Sequence, residues 1–99
     1  MSATAETKRK RRLLVLARRD HTEAMRVAAG LTIFGHAVEL VFMTAPVAEN
    51  EENAAMAELL DLSGIEPRTT VAEMASELPC LDAPALASAI ARADAIVSV

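Results

Sequence analysis

The chain has no tryptophan, no tyrosine and two phenylalanines, Phe34 and Phe42, in 99 residues. Surfaces that stack single-stranded bases on successive aromatic rings are therefore nearly absent. One cysteine, Cys80, cannot make a disulfide framework, and it suits a reducing compartment. Cys80 with only two histidines, His21 and His36, far apart in sequence, also falls short of the three or four convergent ligands of a metal centre. Glycine occurs three times and never in a cluster. The glycine-rich loops that let a backbone close on a dinucleotide or on ATP are absent, so neither those cofactors nor any other is expected. No apolar run approaches the ~20 residues of a membrane helix. Lys8-Arg9-Lys10-Arg11-Arg12 followed by Leu13 to Ala17 mimics the start of an export signal, but the apolar part stops short of the ~7–15 residues such a signal needs. A cytoplasmic location is expected.

What is present is aliphatic: 53% of residues are hydrophobic, and the burial must come from Ala, Val, Leu, Ile and five Met. The length suits one domain with a thin core, hiding about 60–70% of its unfolded surface. Charge is unevenly spread. Residues 1 to 26 carry eight of the ten Lys and Arg against three acids, and residues 27 to 99 carry two against eleven. The formal charge is thus +5 on the first part and -9 on the second. A flexible basic tail is expected over 1–12, with a single domain over 13–99. The acidic body argues against nucleic acid as a partner except weakly through the basic tail, and the lopsided charge fits either an acidic-partner or head-to-tail contact or simply a basic tail solvating the start of a strand.

Leu13-Leu14-Val15-Leu16-Ala17 has no polar alternation, which describes a strand covered on both faces. Asp20 and Glu23 stand in capping-box spacing for a helix from His21 to about Phe34, with Ala24, Val27, Ala28 and Leu31 on one face. Gly35 falls where a left-handed cap is needed, and Val38 to Met43 reads as a second strand. The acidic stretch Glu49-Asn50-Glu51-Glu52-Asn53 suits the positive end of a second helix. Met56, Leu59, Leu60 and Ser63 share one side of it, and Gly64-Ile65 forms the exit. Arg68 to Ala72 reads as a short strand followed by a helical turn. Asp82 caps a last helix bearing Leu86, Ala89, Ile90 and Ala93, and Ala95 to Val99 forms a closing core strand. The fold class predicted is α/β: a small three-layer domain with about four mainly parallel strands and helices on both faces. Right-handed crossovers suggest the order 2-1-3-4, with the first and last strands running in the same direction within one sheet.

Two places could carry chemistry. Arg18, Arg19 and His21 leave the first strand on the side where open α/β sheets bind ligands, and two guanidiniums beside a helix start can hold an anion. Against this, Asp20 can simply cap while the arginines face water. Cys80, after Pro79 and two residues before a helix cap, is placed where a thiolate gains from the helix dipole. It can equally be a small packing residue between Leu78 and Leu81.

Taken together, Leu13 to Ala17, Asp20 to Phe34, Gly35-His36-Ala37-Val38-Glu39-Leu40-Val41-Phe42 and Ala87 to Val99 resemble the DsrE/DsrF-like family of sulfur-relay proteins. The resemblance covers about two-thirds of the chain through patterns rather than signatures. It implies a small cytoplasmic protein, commonly a homo- or hetero-oligomer, that carries sulfur as a cysteine persulfide and passes it to a protein partner. In active members the cysteine follows a middle strand at the carboxyl edge of the sheet. Here Arg68-Thr69-Thr70-Val71 holds no cysteine, and Cys80 comes later. Two functions are therefore expected from one fold: a sulfur carrier using Cys80, or a non-catalytic oligomeric binding subunit whose thiol only packs.

Overall fold

The computed structural model describes residues 11–99. The basic segment expected over 1–12 thus lies outside the described residues except for Arg11 and Arg12. The elements are β1 (Arg12–Ala17), α1 (His21–Ile33), β2 (Ala37–Phe42), α2 (Glu51–Leu62), β3 (Arg68–Thr69), a 3-10 turn (Ala72–Met74), α3 (Ala83–Arg92) and β4 (Ala95–Ser98). The four strands are parallel, so this is an α/β fold. Their order is β3-β2-β1-β4, and Leu14 lies between Glu39 on β2 and Ile96 on β4. β1 and β4 run in the same direction, as expected, but they are side by side with no strand between them, so the order 2-1-3-4 is wrong. The chain adds β2 and β3 successively on one side of β1 before crossing back to lay β4 on the other. Strand hydrophobicity is blind to that choice, because either order buries β1 on both faces.

Alternation divides the β1 and β2 side chains between two layers. Val15, Ala17, Leu40 and Phe42 face Ala24, Met25, Ala28 and Ala29 of α1 and Leu60 of α2. The short α1 side chains let that helix lie close to the sheet. Leu14, Leu16, Val41 and Met43 face the other way, where α3 supplies Leu86 and Ala89. One helix cannot cover a four-stranded face. Ile90 and Ile96 stay 39% and 45% exposed, so β4 is an open edge strand rather than the core strand its composition suggests.

The helix ends obey local rules. Oδ1 of Asp20 accepts from the Glu23 N–H and Oδ1 of Asp82 from the Ala85 N–H, both caps anticipated from sequence. The Glu23 carboxylate pairs with Arg26. At the end of α2, Gly64 has φ +77, its N–H bonds the Asp61 carbonyl, and the Ile65 N–H reaches back to Leu60. That is a Schellman closure, with Ile65 packed in the same cluster as Leu60. The α2 face is rotated from the one predicted: Asn53 and Leu60 are buried, while Leu59 is exposed.

Candidate functional site

Parallel strands deliver their carboxyl ends to one edge, and four segments meet there. The loop after β1 is pinned to the end of β4, because the backbone N–H groups of Arg18 and Arg19 both donate to the Val99 carbonyl at 2.9 Å. The Arg18 guanidinium reaches Oγ of Ser98 at 3.5 Å, and Arg19 is exposed. The backbone N–H groups of Arg18 and Arg19 are thus engaged within the fold, and what these two residues can offer an anion is guanidinium.

His21 turns away from both arginines. Its Nε2–H donates to the Met43 carbonyl at 3.0 Å, and its ring meets Phe42 edge-on with centroids 5.5 Å apart. The imidazole thereby ties the first turn of α1 to the exit of β2. The same carbonyl accepts the Ala45 N–H at 2.9 Å, closing a three-residue turn around Thr44, whose φ is +79. A β-branched residue in that region is strained, and turns of this hand are rare. Nothing in the sequence announces it.

Cys80 is exposed and occupies a different part of the edge. The Thr69 N–H donates to the Pro79 carbonyl at 3.0 Å and the Leu81 N–H to the Thr69 carbonyl at 2.7 Å. Cys80 is thereby bridged in parallel to Thr69 on the outer side of β3. Thr69 itself is aligned with Phe42, and Phe42 with Ala17, so Cys80 stands level with the carboxyl ends of the strands. The bridge is anchored inward: Oγ1 of Thr69 donates to the Phe42 carbonyl at 3.0 Å and accepts the Val71 N–H at 2.9 Å. Three inter-strand steps separate this position from β1, roughly 14 Å. The structure thus brings Arg18 to β4, His21 to β2 and Cys80 to β3, and does not gather them around one point. Among the described residues no side chain hydrogen-bonds to the Cys80 thiol, and no cluster of His, Cys, Asp and Glu could hold a metal ion.

One structural residue was not anticipated. Asn53, 7% exposed, accepts from the Thr22 hydroxyl through Oδ1 and donates through Nδ2 to the Ala48 carbonyl at 2.8 Å, while its N–H is capped by Asn50 at 2.7 Å. It fastens α2 and its entry loop to α1. The available sign was a polar residue at the i−3 and i−7 positions from Met56 and Leu60, on the buried stripe. Beside it lies a cleft of about 430 Å³ between α2 and the segment leading to Pro79.

Comparison with protein-family models, curated proteins and solved structures finds no match to this chain. No described helix is long and apolar enough to cross a membrane.

Proposed function

We propose that the chain is a sulfur carrier of the DsrE/DsrF-like kind, with the Cys80 sulfur as the accepting atom. The observation that carries the reading is the Thr69 bridge, which holds an exposed thiol level with the carboxyl ends of a parallel sheet. The sequence places Cys80 late, but the fold returns it to β3, the strand after which the resemblance expects a cysteine. The Cys80 thiolate attacks the outer sulfur of a donor persulfide. The new bond joins Cys80 Sγ to that sulfur, the donor S–S bond breaks, and the donor leaves as a thiolate. An acceptor thiolate on a partner protein then takes the terminal sulfur and regenerates the Cys80 thiolate, with no net oxidation. Arg18 and Arg19 stand too far away to touch the reacting sulfur, so in this reading they present charge to an acidic partner. The open edge of β4, with Ile96, is the surface on which a homo-oligomer forms.

A non-catalytic binding subunit is the second reading, favoured by the separation of Cys80 from His21 and by the unpartnered thiol. Intact-mass measurement after incubation with a sulfane-sulfur donor decides between them. The carrier gains about 32 Da, one sulfur on a thiolate, and Cys80→Ser does not. No gain in the parent protein, or a gain that persists in Cys80→Ser, leaves the binding subunit.

A further inference from the structure

The cleft beside Asn53 has a composition that neither sulfur transfer nor oligomer formation uses. Its floor is apolar: Met25, Phe42, Leu60 and Ile65 close it below, with Met74 and Leu78 on the far wall. Its rim is acidic, formed by Asp61, Glu66 and Glu77, and an adjoining hollow that shares Val47, Asn53, Ala57, Met74 and Glu77 adds Glu49 and Glu73. None of these five carboxylates takes part in an ion pair among the described residues, whose pairs involve Glu23, Glu52 and Glu39. No Lys or Arg lines either part. Arg68, adjacent in sequence to the lining residue Pro67, alternates with Thr69, and Thr69 turns its hydroxyl inward to Phe42 and Met74 on the cleft side.

We propose that this cleft binds a small primary amine with an apolar body, the hydrocarbon on the Phe42–Leu60 floor and the ammonium among the rim carboxylates. Volume and lining match ordinary small-molecule sites, which are concave and mostly apolar with few polar groups. The polar groups here have one sign. Asn53, the one uncharged polar side chain in the lining, has its amide committed to Thr22 and Ala48. The remaining side-chain polar groups are carboxylates, which only accept hydrogen bonds, and an ammonium only donates. Unpaired charges of one sign around a low-dielectric floor draw counter-charge and repel anions. The proposal is independent of what Cys80 does.

The test is a titration of the full chain, followed by amide NMR, with three ligands sharing one tail: octylammonium, octanol and octanoate. Octylammonium is expected to shift Val47, Ala57, Met74 and Leu78 and to bind at least about threefold tighter than octanol, with octanoate weakest. Its affinity falls as salt rises, because the rim is solvent-exposed. Glu66→Gln and Glu77→Gln each weaken octylammonium and leave octanol unchanged, whereas Ala57→Phe, which fills the cleft, removes both. Equal affinity for the three ligands, shifts mapping elsewhere, or no saturable shift would overturn the proposal. So would a cleft found covered by a second copy of the chain and freed only on dilution.

Discussion

Replacing Asn53 probes the joint that sets the position of α2. In Asn53→Ala the Thr22 hydroxyl loses its acceptor and the Ala48 carbonyl loses its donor, both in part-buried hydrogen bonds. A stranded buried group costs about 1–3 kcal/mol. Because both groups are only part-buried, and alanine is the better helix former by roughly half a kcal/mol, the net loss should be about 2 kcal/mol. For a chain of this size that lowers a urea midpoint by about 1 M. Thr22→Val removes the same hydrogen bond from the other side with little change in shape. The two losses must then overlap, and the double mutant should recover a coupling of about 1 kcal/mol. Urea unfolding followed by circular dichroism on the four proteins gives the cycle. Strict additivity, with coupling below about 0.3 kcal/mol, would show that the Thr22–Asn53 contact does not join the two helices in solution.

Thr44→Gly should raise stability by about 1 kcal/mol, since relief of the positive-φ strain exceeds the entropy glycine adds to the unfolded chain; a loss in thermal denaturation would refute the strained turn. Gly64→Ala should cost about 1–2 kcal/mol through backbone conformation alone, because an added Cβ meets nothing within 4 Å. An unchanged midpoint would contradict the Schellman closure of α2. Leu14→Ala, at a fully buried position between β2 and β4, should cost about 2–5 kcal/mol, and a loss below 1 kcal/mol would show that β4 and α3 do not seal that face.

Local chemistry made much of this fold legible. The uniform apolar run of β1 marks a strand with neighbours on both sides and cover on both faces. Asp20, Gly35, Gly64 and Asp82 mark helix ends because each supplies something the backbone there requires: an acceptor, or a positive φ. Lateral strand order was not legible, since every βαβ unit looks alike in composition wherever its strand is laid. The exposure of β4 was hidden for the same reason: Ala95-Ile96-Val97 has the composition of a central strand and the position of an edge. Pro79-Cys80-Leu81 is too short to read as a strand, so the contact that returns Cys80 to β3 could not be seen in the sequence. His21 begins a helix at the binding edge, a position that in sequence alone points the ring toward a ligand. Its imidazole instead spans to Met43, a contact that depends on how β1 and β2 are spaced rather than on any motif.

Sulfur hand-over through Cys80 can be watched in a single-turnover chase. The protein is loaded from a persulfide donor, freed of that donor, mixed with an acceptor thiol and followed by intact mass. The added sulfur, about 32 Da on Cys80, is expected to disappear as the acceptor gains it, with Cys80 returned as a free thiol. Sulfur that never loads, or that loads and stays on Cys80 through repeated challenge with the acceptor, would contradict hand-over through Cys80.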